Sequence, residues 1–421
     1  MSDRTRALAF ARQLYAQRAE IWYAGHVKRD PMAQLWLGRA RTDPYGIYEE
    51  LRAKGPMVST RLGNWVTTSH QLCNRVLRDR RLGVRPEQTG TSNRVGDNAM
   101  DLSFLDRNPP DHTRLRRLAA PAFSPKQMTG YRPRIEKTVH ALLDRATEPG
   151  RDRPFDLIGS FAAALPIAVI TDLLGIPDAT AEEFTRYGTT IGSALDGVRS
   201  LSHARQLMAA DAALRKLFEG LFELRRREPA DDLVSHIVAA EGEQIEPHEM
   251  VPMCTLLLIA GFETTVNLIG NGTLALLDHP DQWARLREDP GRAAQAVEEM
   301  LRFDPPVQRT ARVALEATEV GGKPVIKGQL VVTLIGAANR DPEVYTDPAR
   351  FDIGRLLPVE HLAFSGGIHY CLGQPLARLE ATIAFQALAE RLPGLRRAGR
   401  VRRRSSTTIR GPLTLPVVAG R

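Results

Sequence analysis

Cysteine is scarce in this chain: three residues in 421, at Cys73, Cys254 and Cys371. They are too few and too far apart for a disulfide framework or a zinc-finger spacing. No CxxC pair occurs, which argues against an iron–sulfur domain within the chain. The glycines form no dinucleotide fingerprint, which argues against a nicotinamide or flavin domain. Long hydrophobic runs are lacking too. The most apolar, CTLLLIAGF at 254–262, is far shorter than the roughly 20 residues a bilayer span needs. The N-terminal stretch MSDRTRALAFARQLYAQRAEIW is charged and has no apolar centre of the signal-peptide kind, so the expectation is a cytoplasmic protein with no membrane partner. Aromatic residues make up only 6%. The net charge of +8 therefore has no interleaved aromatic platform with which to bind nucleic acid. Basic and acidic residues alternate along helical patterns, which reads as solvated faces. A local basic face remains as a means of steering an acidic protein partner.

Internal repeats and low-complexity segments are also missing. The longest weakly patterned stretch, RPEQTGTSNRVGDNAMDLS at 85–103, reads as an extended loop. Periodicity predicts helices over 111–127, 130–147, 155–174, 179–192, 201–227, 247–277, 280–288, 291–303 and 374–392. Short strands flank Gly63-Asn64 in 57–69, occupy 319–335, and form a C-terminal hairpin over 407–418. The expectation is a mainly α single body, 1–421, with a small β region. Strands and helices do not alternate in the βαβα order of a doubly wound sheet.

One cysteine is set apart by its neighbours. In FSGGIHYCLGQPLARLEA (364–381), Cys371 lies among Gly366, Gly367, His369, Tyr370 and Gly373. That is a poor core for a structural thiol, and no cysteine-hydrolase pattern surrounds it. Pro375 suits a first helical turn. The free N–H groups of that turn would face the sulfur and favour its anion. A lone thiolate does not complete a zinc site, but it can hold a haem iron from one side.

The spacing Phe364-x-x-Gly367-x-x-x-Cys371-x-Gly373 resembles the haem loop of the bacterial soluble cytochrome P450 family. Further matches are AGFETT (260–265), EEMLRFDPP (298–306), PPDHTRLRR (109–117), RTAR (309–312), ANRDP (338–342), YTDPARFDI (345–353) and IRGPLTLPV (409–417). The likeness runs from about residue 40 to the C-terminus, and 1–40 match least well. It implies a P450 fold with haem b between the long central helix and the cysteine loop, held by Phe364, Cys371 and Gly373, with Cys371 as the iron ligand. It places His112, Arg116, Arg312 and His369 on the haem propionates and Ala260 in the oxygen groove. Thr264 becomes the hydroxyl serving dioxygen, with Glu263 as the acid that feeds it protons. Gly261 would be small to let the cofactor approach, and Glu299, Arg302 and Arg350 would form a structural ion trio. Asn108 stands where related sequences usually carry Asp, a change expected to affect the cap of the following helix.

The function so implied is monooxygenation of a medium-sized, secondary-metabolite-like small molecule by a monomer. Two electrons would come from a ferredoxin or flavodoxin and its reductase, docking near Arg114 and Arg117. Substrate contacts are expected from the 85–103 loop, 188–200, Ile259, Ala260, Val307 to Thr310 and Ile409, with Arg94 or Arg309 able to meet a carboxylate. Two alternatives stand beside this reading: oxidative cyclisation or coupling without oxygen insertion, and a non-catalytic haem-binding partner protein.

Overall fold

Proline decides where several of the helices begin and break. The computed structural model describes residues 3–37, 43–85, 101–177, 181–193, 198 and 200–420. Helix α1 (Asp3–Trp22) leads to the short α2 (Pro31–Gln34), whose Asp30 cap accepts the Ala33 N–H at 2.9 Å. Helices α3 (Tyr45–Ala53) and α4 (His70–Arg78) frame the expected first hairpin, in which β1 (Val58–Ser59) pairs antiparallel with β2 (Trp65–Thr67). Neither helix was expected. Strand β3 (Leu82–Gly83) follows.

The helix expected over 111–127 is α5 (Asp111–Ala119), which tightens into a 3-10 turn over Ala120–Phe123. Pro121 and Pro125 lack the N–H that would carry an α-helix on, and Pro125 instead starts α6 (Pro125–Thr147). The segment 155–174, expected as one helix, is β4 (Phe155–Asp156), a π turn and α7 (Ala164–Leu174). Then come α8 (Ala181–Gly192), α9 (Leu201–Arg227) and α10 (Leu233–Ala239).

Helix α11 (Pro247–Asp278) runs through the centre, packed by α7, α8, α13 and α15. It is the one helix among the described residues long and apolar enough to cross a membrane, but most of it is buried within the protein. Helices α12 (Pro280–Glu288) and α13 (Ala293–Phe303) lead to β5 (Thr310–Ala314), β6 (Thr318–Val320), β7 (Lys323–Val325) and β8 (Leu330–Thr333). After α14 (Ile335–Ala338) and the cysteine loop comes α15 (Gln374–Arg391).

The larger sheet has the order β1-β2-β8-β5-β3, and its register sets Arg312 opposite Val331. The C-terminal hairpin does not form as expected. Strand β11 (Pro412–Thr414) pairs with β10 (Arg402–Arg403), whereas β12 (Pro416–Val418) pairs with β4 on one side and β9 (Arg396–Arg397) on the other. A single residue, Leu415, separates β11 from β12, too short a link for a hairpin turn.

Candidate functional site

The site lies between the start of α15 and the middle of α11. Ahead of α15 the chain turns tightly enough that Cys371 donates its N–H to the Phe364 carbonyl at 2.9 Å. Gly367 makes the turn possible: its φ is +66°, and a Cβ there would strike the Leu77 carbonyl and the Arg78 backbone of α4. Gly373 is different. Its φ is −83°, and a Cβ would meet only Phe123, at an ordinary 3.7 Å. Nothing in the polypeptide itself demands glycine beside the sulfur, as expected if the space is kept for a bound group.

The Cys371 thiol is pushed up by burial, which outweighs the opposing pull of the Gly373 and Gln374 amides and of the Arg116 and Arg378 guanidinium groups. The helix-start amides therefore act as the sequence implies, but alone they do not keep the sulfur ionised. A metal ion would.

Four basic residues converge beside this loop. His112 and Arg116 come from α5, Arg312 from β5 and His369 from the loop. The His112 and His369 rings lie 4.4 Å apart between centroids, and Arg116 donates from Nη2 to the Tyr370 carbonyl at 2.5 Å. His112 and Arg312 are nearly inaccessible, at 2% and 3% exposure. Among the described residues, both ring nitrogens of His112, Nε2 of His369 and Nη2 of Arg312 are buried without a hydrogen-bond partner. Burial first, then Arg116 and Arg312, lower His112, and the Ile368 carbonyl opposes this weakly without reaching hydrogen-bond geometry. Burial, then the neighbouring cations Arg312, His112 and Arg116, depress His369 to about 3, and burial depresses Arg312 to about 10. Four bases, two buried and two half-buried, with no acid among them are unstable alone. They fit a ligand bearing carboxylates, so this donor set, with a thiol at its edge, suits haem.

Helix α11 faces the same region. Ala260 is exposed and Thr264 half-buried in the middle of an otherwise buried helix. The Thr264 hydroxyl donates to the Ala260 carbonyl at 3.2 Å, so it bonds back to the preceding turn and does not turn away from it as expected. Gly261 also departs from expectation. A Cβ there would collide with Ile170 of α7, so its smallness serves helix packing, and Ala260 is the residue facing open space.

Glu263 is 3% exposed and lies 2.6 Å from Arg404 Nη1. Burial raises its carboxyl, and Arg404 opposes the rise. The last residue of α8, Gly192, closes over it, since a Cβ there would come within 3.0 Å of Oε1. Arg404 is a residue the sequence reading missed. Its N–H donates to the Gly411 carbonyl at 3.0 Å across a turn that carries Ile409, so only the fold brings it to α11.

The scaffold behind the loop is fully paired. Arg302, 0% exposed, gives two bonds to Glu299 at 2.7 and 2.8 Å and three to the carbonyls of Asn339, Pro348 and Arg350. The expected third member is corrected here. Arg350 contributes its carbonyl, and the second cation on Glu299 is Arg355, at 3.3 Å. Asn108 does not cap α5 through its side chain. Its amide accepts from Val84 at 2.9 Å and donates to the Arg85 carbonyl at 2.8 Å, and the second bond is one an Asp carboxylate could not make. Arg114 forks onto Glu249 at 2.8 Å and touches Asp111, so it is committed within the protein, whereas Arg117 is exposed.

Of the expected substrate contacts, Ile259 and Ile409 are buried, Val307 and Thr310 are half-buried, and Val307 bridges to Ile409. Arg309 stacks on Trp36 at 4.3 Å. Arg94, most of the 85–103 loop and much of 194–199 lie outside the described residues.

Comparison with known proteins agrees with this geometry. The family description "Cytochrome P450" matches residues 31–392. The biotin biosynthesis cytochrome P450 of Bacillus subtilis is 38% identical over 361 residues, 84% of this chain and 90% of that protein. The 6-deoxyerythronolide B hydroxylase of Saccharopolyspora erythraea is 37% identical over 370 residues, 84% and 89% of the two chains. The ligand-free crystal structure of Mycobacterium smegmatis CYP164A2 superposes with a TM-score of 0.85 at 40% identity, covering 92% of this chain and 99% of that one. A thiol loop, a basic cluster without counter-charge and a central helix opened at Ala260 are thus found on a chain that belongs to the cytochrome P450 family of haem-dependent, dioxygen-using enzymes.

Proposed function

We propose that this enzyme is a haem-thiolate monooxygenase, one P450 unit over 1–421, in which Cys371 supplies the thiolate to the iron. The observation that carries this reading is the quartet of His112, Arg116, Arg312 and His369, largely withdrawn from solvent and unpaired on several nitrogens beside that cysteine. Those four residues would hold the haem propionates by charge-assisted bonds, and Phe364 and Gly373 would help to hold the cofactor. Haem, when bound, supplies reductive activation of dioxygen and oxidation of the substrate.

The protein contributes protons, orientation and dryness. Thr264 Oγ1 would hold and pass on a proton on the side of α11 that Ala260 leaves open, giving up its bond to the Ala260 carbonyl to do so. Glu263 resupplies Thr264, which requires its ion pair with Arg404 to open. Ala260 keeps that stretch of α11 narrow. Ile259, Val307 and Ile409 would offer apolar contacts to a substrate, and Thr310 a hydroxyl. This suits a medium-sized, partly polar metabolite, in keeping with the relatives named for biotin biosynthesis and for hydroxylation of 6-deoxyerythronolide B. Two electrons come from a ferredoxin or flavodoxin with its reductase, meeting a cytoplasmic, monomeric protein on the cysteine side near Arg117.

Purified protein, reduced under carbon monoxide, should give the thiolate-type absorption, and Cys371→Ala should lose it. A variant that keeps the absorption would overturn the ligand assignment. With any small molecule that shifts the haem spin state, isotope-labelled dioxygen should leave label in the product. Unlabelled oxidised product would mean coupling or cyclisation instead.

A further inference from the structure

A second charged network borders the cysteine loop, and the function above leaves it unused. Glu298 sits beside Glu299 on α13, but one residue on a helix turns the side chain to a different face. Glu299 meets Arg302. Glu298 accepts two bonds from Arg378 of α15, from Nε at 2.6 Å and Nη2 at 3.1 Å. On its other side lies His361, whose side chain is fully buried and whose Nε2 is 3.2 Å from Glu298 Oε2, off the line of a good hydrogen bond. The Ala363 N–H donates to His361 Nδ1 at 3.3 Å, which leaves the imidazole proton on Nε2, toward the carboxylate.

Both arms of the network reach the cysteine. The Arg378 guanidinium lies 4.4 Å from the Phe364 ring centre, and the Phe364 carbonyl accepts the Cys371 N–H. Gln374, in the first turn of α15, also accepts from Arg378. One residue before the cysteine, the Tyr370 hydroxyl donates to Glu360 at 2.5 Å, and Glu360 lies 3.9 Å from Arg378. Arg378 is among the cations that favour a negative sulfur. Burial disfavours the Glu298 carboxylate, yet His361 and Arg378 hold it down to about 2, so it is ionised throughout the physiological range. The pair is a fixed dipole in a partly buried site, where charge acts more strongly than in water.

We propose that Glu298, Arg378 and His361 are positioning residues for the thiolate: Arg378 draws charge back from the Cys371 sulfur, Glu298 limits that pull, and His361 holds Glu298 in place. Such outer partners commonly tune a metal ligand's donation. The inference rests on Cys371 being the iron ligand.

The test is the ferric–ferrous reduction potential of the purified holoenzyme, measured at about pH 8, above the ordinary imidazole range. Reduction adds negative charge at the iron. Glu298→Gln leaves Arg378 uncompensated and should raise the potential. Arg378→Met leaves Glu298 uncompensated and should lower it, Arg378→Lys should stay near wild type, and Glu298→Gln/Arg378→Met should return toward it. A purely structural clamp would move both single variants the same way or neither, and either result overturns the proposal. If Arg378→Met does not fold, Glu298→Gln still decides it, since its potential must rise. Wild-type protein without the thiolate absorption would instead remove the ligand assignment itself, before any variant is compared.

Discussion

Two buried clusters of basic side chains lie on either side of the cysteine loop, and they are built on opposite rules. Around Arg302 every charge is answered: its five N–H groups meet Glu299 and three carbonyls, and Glu299 meets Arg355 as well. Around Arg312 no acid answers among the described residues: two histidines and two arginines converge, Arg312 Nη1 and Arg116 Nη2 find only neutral oxygens such as the Ala311 and Tyr370 carbonyls, and several other nitrogens have no partner. Arg302 and Arg312 are both almost wholly inaccessible, at 0% and 3% exposure, so burial alone does not separate scaffold from site. Charge balance does. A group balanced within the chain maintains the fold, and one left unbalanced is built for something the chain does not contain.

Four experiments would break or sharpen that contrast. The largest effect is expected from Glu299→Ala, which strands the Arg302 charge. Removing one partner of such a pair typically costs about 3–5 kcal/mol. Denaturant unfolding should show that loss, with haem-free aggregate the main product. Stability within about 1 kcal/mol of wild type would mean the balanced cluster is ornamental.

Arg312→Met should act with opposite sign in the two forms of the protein. Haem retention should fall by an amount corresponding to roughly 1.5–3 kcal/mol, the usual worth of a hydrogen bond to a charged group. The haem-free protein should become more stable, because one repelling cation is gone. Haem transfer to a competing apoprotein measures the first, and thermal unfolding of apoprotein the second. A destabilised apoprotein would place Arg312 with the scaffold.

Thr264→Ala should leave both clusters and the unfolding curve unchanged while diverting reductant into peroxide. Full coupling of reductant to product would separate Thr264 from proton delivery.

The smallest effect concerns Glu298, a balanced charge at the boundary. Its carboxyl is held at about 2 in the fold against an ordinary 4.5. Its stabilising contribution is therefore complete above pH 4.5 and is lost as pH falls through 2. The stability gap between wild type and Glu298→Gln should be constant near neutrality and close across that acid window. A gap independent of pH would show that the carboxylate's charge is not what holds α13 to α15.

Local chemistry carried much of this into the sequence. Helices α9 and α12 begin and end where their caps, prolines and apolar periods put them. The four bases were legible once the cysteine spacing had been recognised. The nine-residue helices α3 and α4 were not: α12 is as short, but it opens on a proline in its first turn, a local start signal that α3 and α4 lack. The C-terminal strands were misassigned because their partners, β4 and β10, are chosen by tertiary contact. Arg350 and Arg355 lie in one irregular stretch, and no local pattern tells which side chain reaches Glu299. Arg404 was invisible for the same reason: it meets Glu263 only once the last turn of the chain folds over α11.

The unbalanced quartet also bears on the life of the polypeptide in the cell. A chain that folds while porphyrin is short carries a self-repelling centre, and anything that binds the native state and not the unfolded one adds its binding energy to stability. Iron and porphyrin supply would then govern how long newly made molecules escape proteolysis, so abundance, as well as turnover, should follow the nutritional state of the host.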